Sequence, residues 1–309
     1  MGKFTCTNGD NEIMESITSK IQYDAWLHWN VTYRCPLDCA YCFFHGNRHH
    51  NESVENGKCS GGDGIDIPSL IETLDTSKMT FTISFTGGEP FCVPNLTEAC
   101  VKISEHHYIS LVTNLITGNI KEFAEKLDPR RVADITASLH LGELERRHLL
   151  DSFIDNYVFL QAKKFSIVAT QVAYPPLLPD LAKYRCYFEK CGLNVTFEPF
   201  TGSYQGKHYP EAYSPEELHS FRIDNSKLDT FKSKGLSCNA GYNVGVVSPT
   251  GSISPCFQIH ERLGSLYGKI KFKDTLTTCH HDVCRCPLYA YDPYLFKKAL
   301  GTMTGSSYY

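Results

Sequence analysis

Cys35-Pro36-Leu37-Asp38-Cys39-Ala40-Tyr41-Cys42 places three thiols on a short connection directly after Ala25–Thr32, a run of aromatic and β-branched residues that reads as a strand. The chain holds 14 cysteines. Three lie in this stretch and five more fall between Cys238 and Cys286, while Cys6, Cys59, Cys92, Cys100, Cys186 and Cys191 are scattered. In a reducing compartment, clustered thiols point to metal ligation or catalysis before disulfides, and clustering near both ends implies two metal sites.

Outward from this stretch, strand-like runs recur between helical patterns at Thr80 to Thr86, Ile109 to Asn114, Asp134 to His140, Ser166 to Val172 and Asn194 to Pro199. Helices are expected to begin near Pro68, Asn95, Asn119, Glu143 and Leu178, with Pro68 early in its helix and Asn95 as an N-cap. Alternating strand and helix with right-handed crossovers predicts an α/β fold, a partial (β/α)6 barrel of TIM type. Chemistry in such a barrel gathers at the C-terminal strand ends. That places Cys35 to Cys42, the Gly87-Gly88-Glu89-Pro90 turn, Asn114, Ser138, His140, Gln171 and Glu198 at one mouth. The polar connection from Phe43 to Asp66 is long enough for a lid or substrate loop.

Residues 1–20 read as an N-terminal extension, 21–205 as the barrel, 206–237 as a linker with a short helix opened by Ser214-Pro215, and 238–309 as a small second domain. In the last of these, Val244 to Ser248 and Ser252 to Ser254 flank Pro249-Thr250-Gly251 as a hairpin. Apolar residues at 42% and charged residues at 21% are those of a globular protein, which excludes disorder as the main state. A net charge of -4 offers no field for general nucleic-acid binding. With no apolar run of bilayer length and no apolar signal core at the start, a cytoplasmic location without membrane association is expected.

Cysteines spaced C-x3-C-x2-C can ligate three irons of a [4Fe-4S] cubane and leave the fourth iron open. A zinc site of Cys35, Cys39, Cys42 and His45 is the rival, because three thiolates and an imidazole also suit zinc. Taken with the strand before it and Gly87-Gly88-Glu89-Pro90 after the next strand, the triplet resembles the radical S-adenosylmethionine (radical SAM) superfamily over roughly residues 21 to 205.

The resemblance implies that Cys35, Cys39 and Cys42 hold a [4Fe-4S] cluster whose open iron is chelated by S-adenosylmethionine. Tyr41 would lie by the adenine, Gly87, Gly88, Glu89 and Pro90 would hold the methionine amino group, and Asn114, Ser138 and His140 are candidates for contacts to S-adenosylmethionine or substrate. The implied reaction is reductive cleavage of S-adenosylmethionine to a 5'-deoxyadenosyl radical that abstracts a hydrogen atom from substrate, fed by an external electron donor such as flavodoxin or ferredoxin. The C-terminal cysteines resemble a SPASM or Twitch domain. Five of them suit one auxiliary [4Fe-4S] cluster, with Cys238, Cys256, Cys284 and Cys286 as the preferred ligands and Cys279 as the substitute; zinc is again the rival.

The expected substrate is a small polar metabolite of sugar or aminocyclitol type, dehydrogenated or epimerised. For epimerisation, Cys92 is the candidate to return a hydrogen atom. The alternative is a maturase that cross-links or epimerises a ribosomally made peptide; with residues 1–20 too few for a fused recognition domain, it would need a separate leader-binding partner or direct recognition. A non-catalytic metal-binding scaffold is the remaining reading.

Overall fold

The structure, a computed structural model, describes residues 23–44, 64–224, 228 and 231–284. The expected strands form β1 (Ala25–Thr32), β2 (Phe81–Gly87), β3 (Tyr108–Thr113), β4 (Val132–Ser138), β5 (Ile167–Val172) and β6 (Val195–Glu198). They pair in sequence order and all in parallel, which makes a partial barrel of the TIM type.

The two faces of this sheet differ in chemistry. Leu27, Ile83 and Ile109 stand side by side across three strands, have no exposed surface and join one core with the helices behind them. One residue further along, His28, Ser84, Ser110 and Asp134 form the neighbouring row on the opposite face. That face lines the inside of the barrel with polar groups. Burial there holds His28 neutral, with its pKa down to about 3, and raises that of Asp134 to about 6, although Ser110 donates a hydrogen bond to it.

The crossovers carry α1 (Ile67–Ser77), α2 (Leu96–Ser104), α3 (Ile120–Lys126), α4 (Leu141–Arg146), α5 (Leu150–Ala162) and α6 (Leu181–Lys190). Asp66 caps α1 by accepting the Ser69 N–H, and a proline sits in its first turn. Asn95 does not cap α2. Its amide instead makes a two-way pair with the backbone of Ile65, tying the start of α2 to the segment before α1. The helix expected near Glu143 is two, α4 and α5, broken where His148 adopts a left-handed φ of 55°. The one expected near Leu178 opens as a 3-10 turn, Pro175–Asp180, before α6.

Residues expected to act as a linker are packed. Tyr213 donates to the Ala173 carbonyl at 2.6 Å and accepts the Phe200 N–H at 2.9 Å, and the helix α7 (Pro215–Phe221) buries Leu218 and Phe221 in the same cluster. Ser214 and Glu217 close a capping box at the start of α7.

The expected hairpin forms between Val244–Val247 and Ser252–Ser254, with Gly251 at a φ of +78° in its turn. It does not stand apart from the barrel. Val244–Val247 lies parallel to β1, in register from Trp26 with Val244 to Trp29 with Val247, so the sheet continues through the hairpin to Gly264–Ser265 and reaches nine strands. Among the described residues no helix is long and apolar enough to cross a membrane.

Candidate functional site

The cysteine stretch begins where β1 ends, and the turn after β2 anchors it. Gly88 donates its N–H to the Thr32 carbonyl and Glu89 donates to the Arg34 carbonyl, both at 2.7 Å. A Cβ on Gly87 would stand 2.2 Å from the Thr32 oxygen and one on Gly88 would stand 2.0 Å from the Arg34 oxygen. These glycines therefore admit the backbone of residues 32–34, and that close approach, together with the φ of +119° at Gly87, accounts for both.

Glu89 points inward and has no exposed surface. Its Oε1 accepts from Thr113 Oγ1 at 2.8 Å and from the Phe91 N–H at 3.1 Å, and its Oε2 accepts the Asn114 N–H at 2.7 Å. Burial lifts its pKa to about 7 against the pull of these three donors. The carboxylate is a clamp between the ends of β2 and β3. Of its roughly four acceptor positions, three are taken by the chain, which leaves little for the ammonium expected from the sequence.

Cys35, Cys39 and Cys42, none of them in a disulfide, stand on one wall of a pocket at the C-terminal strand ends. The Cys42 N–H to Cys39 carbonyl bond of 3.1 Å holds the tight turn between the second and third. The pocket also collects Tyr41, Gly87, Gly88 and Asn114, and opposite them Ser138, His140, Gln171 and Glu198. Thr86, Thr113 and Thr170 line it too; they continue the strand-end polar pattern that the sequence carries, and Thr86 and Thr170 follow the inward alternation. Phe43 and Phe44 edge it.

Tyr41 is held from two sides. Gln171 Nε2 donates to its hydroxyl at 3.4 Å, and the hydroxyl stands 3.3 Å from His140 Nδ1. Burial, with Cys39 nearby, keeps the phenol strongly protonated. Its ring packs on that of Tyr174 at 5.2 Å.

Glu89, Pro90 and Cys92 are buried behind the wall and do not line the pocket. Cys92 is disulfide-bonded, and the other described cysteines are not in disulfides. A disulfide sulfur carries no hydrogen to give, which weighs against Cys92 as a hydrogen-atom donor.

The C-terminal cysteines meet in a second cavity, lined by Cys238, Cys256, Cys279 and Cys284. The hairpin delivers Cys256, and antiparallel pairing of Ser237–Cys238 with Thr277–Thr278 brings Cys279 beside Cys238. Burial first, and then the neighbouring thiols, raise the pKa of Cys238 and Cys256. Backbone N–H groups of Ala240 and Gln258 point at their sulfurs at 3.5 and 3.4 Å. The gathered set thus contains Cys279 where the preferred one had Cys286, which lies outside the described residues, as do His45 and residues 1–20.

Among the described residues no group of three or more His, Cys, Asp and Glu is disposed to hold a single metal ion. Zinc requires its donors within about 2.0–2.3 Å, which crowds thiolates together.

Residues 29–156 match the model of the radical SAM superfamily. A probable GTP 3',8-cyclase of Archaeoglobus fulgidus is 26% identical over 116 residues, which are 38% of this chain and 36% of that protein. The match thus spans about a third of that curated relative. Among solved structures, anSMEcpe with bound AdoMet has a TM-score of 0.53 at 18% identity, covering 78% of this chain and 77% of its own. The same protein with AdoMet and a Cp18Cys peptide gives 0.51 at 17% identity, with the same coverage. Streptococcus suis SuiB bound to precursor peptide SuiA gives 0.51 at 15% identity, covering 87% of this chain and 66% of that one. At these identities the likeness is one of fold.

Proposed function

We propose that this chain is a radical SAM enzyme that removes a hydrogen atom from a small polar metabolite of sugar or aminocyclitol type. The observation that carries the proposal is the convergence of three thiols, Cys35, Cys39 and Cys42, with polar groups from the ends of β2 to β6 on one pocket. In this reading the three thiolates hold a [4Fe-4S] cluster open to S-adenosylmethionine, and the bound pair supplies a 5'-deoxyadenosyl radical able to attack an unactivated C–H bond.

The chain's own residues bind, orient and exclude water. Tyr41, fixed by Gln171 and His140, forms the adenine wall. Backbone of Gly87 and Gly88 faces the methionine end, while Ser138 and His140 are available to S-adenosylmethionine or substrate hydroxyls. Thr170, Gln171 and Glu198 give the far wall hydrogen-bonding groups suited to a polyhydroxylated or aminated substrate. Phe43 and Phe44 shield the mouth from solvent. Cys238, Cys256, Cys279 and Cys284 hold one auxiliary [4Fe-4S] cluster in a Twitch-like unit, and flavodoxin or ferredoxin serves as electron donor. With Cys92 in a disulfide, dehydrogenation is favoured over epimerisation. The nucleotide named for the Archaeoglobus fulgidus relative supports a small-molecule substrate.

A second reading, modification of a ribosomally made peptide, is supported by the peptides named in the anSMEcpe and SuiB structures. Anaerobic reconstitution tests both. About eight irons per chain and 5'-deoxyadenosine formed from S-adenosylmethionine under reduction are expected; zinc alone would leave a scaffold. In heavy water, loss of two hydrogens from a small substrate marks dehydrogenation, deuterium gain at one carbon marks epimerisation, and turnover only with a precursor peptide marks the second reading.

A further inference from the structure

Asn114 reaches the cysteine stretch from the end of β3. Its side-chain Nδ2 donates to Cys35 Sγ at 3.7 Å, across 79 residues of chain, and the side chain is buried with 3% exposure. The amide cannot be turned the other way without loss, because its Oδ1 accepts the Ile116 N–H at 3.3 Å. The N–H face is therefore the one presented to sulfur.

The position of this donor is fixed from behind. Glu89 Oε2 holds the Asn114 backbone N–H at 2.7 Å, and the Glu89 backbone N–H holds the Arg34 carbonyl next to Cys35. Donor and thiol are thus braced by the same residue. Cys35 also receives the Leu37 backbone N–H at 3.5 Å, which no side-chain substitution removes, whereas the Asn114 donor can be removed by substitution.

We infer that Asn114 is a positioning residue that sets the reduction potential of the N-terminal cluster through its hydrogen bond to Cys35, an inference resting on the cluster assignment proposed above. Reduction adds one negative charge, which is spread in part over the ligating sulfurs. An N–H donor to such a sulfur stabilises the more negative state more and so raises the potential. Taking the donor away makes the site harder to reduce, and placing an acceptor there makes it harder still.

The test is a redox titration of the reconstituted full chain, followed on the paramagnetic signal that S-adenosylmethionine perturbs, so that it reports the N-terminal site. Asn114→Asp keeps the shape, the acceptor for Ile116 and the backbone bond to Glu89, but sets oxygen against sulfur. Asn114→Leu removes the donor without adding charge. The midpoint is expected to move to more negative potential in both, further in Asn114→Asp, at wild-type iron content. If Asn114→Leu loads no iron, the shift in Asn114→Asp decides. Midpoints equal to wild type at full iron content, even with reduced thermal stability, overturn the inference and leave the cluster assignment standing. A wild-type protein with no perturbable signal overturns the assignment itself, and the inference with it.

Discussion

The indole N–H of Trp29 donates to the carbonyl of Ser248 at 3.0 Å, joining the first barrel strand to the turn of a hairpin 219 residues later. Trp29 has no exposed surface. Through this bond and the strand pairing beside it, the hairpin that delivers Cys256 is seated on the barrel. Trp29→Phe is expected to lower stability by about 2 kcal/mol, from the lost hydrogen bond and the smaller ring. Denaturant unfolding measures the loss, and faster alkylation of Cys256 in the iron-free protein should accompany it. Unchanged alkylation would show the cavity to be independent of that seat.

Glu89→Gln turns an acceptor into a donor opposite the Asn114 N–H, which Glu89 Oε2 now accepts at 2.7 Å. Two buried donors then face each other, at a cost of about 1–3 kcal/mol. Urea unfolding should show this loss. Glu89→Asp, too short to span the ends of β2 and β3, should show a loss of the same order.

Gly88→Ala would place a methyl group 2.0 Å from the Arg34 carbonyl oxygen. The backbone of the cysteine stretch must shift, and the expected result is selective: iron content falling from about eight to about four per chain, with the C-terminal site still loaded. Equal loss from both sites would contradict it.

Cys279 and Cys286 can be told apart in the same way. Cys279 lines the second cavity with Cys238, Cys256 and Cys284. Cys279→Ser is expected to lose about half of the iron, and Cys286→Ser to keep it. The reverse result would restore the set preferred on spacing.

Asp134 has its pKa raised from 3.8 to about 6 by burial. The protonated form is thus favoured on folding, so its contribution to stability is full below about 3.8 and is lost as the pH rises through about 6. Asp134→Asn should remove this fall. Unfolding midpoints of wild type and variant across that window check the sign, and a wild type that gains stability relative to Asp134→Asn on going up in pH would refute it.

The six parallel strands were legible because each combines β-branched and aromatic residues with an alternation that the polar inner face preserves, as His28, Ser84 and Ser110 show. The break between α4 and α5 was not, since Arg147, His148 and Leu149 include neither glycine nor proline. The strand-end rule found most of the pocket. A sequence does not say that the close neighbours of Gly87 and Gly88 are the Thr32 and Arg34 carbonyls. The inward aim of Glu89 was hidden in the same way. The pairing of residues 237–238 with 277–278, which brings Cys279 to the second cavity, was not legible from spacing.

The parallel seat of Val244–Val247 on β1 also governs the order in which the molecule can be completed. Until residue 247 has left the ribosome, β1 is a bare edge whose unpaired amides and carbonyls invite a neighbouring polypeptide. A nascent or prematurely terminated chain ending ahead of Val244 should therefore self-associate, and the late-made hairpin acts as the stopper that closes the sheet.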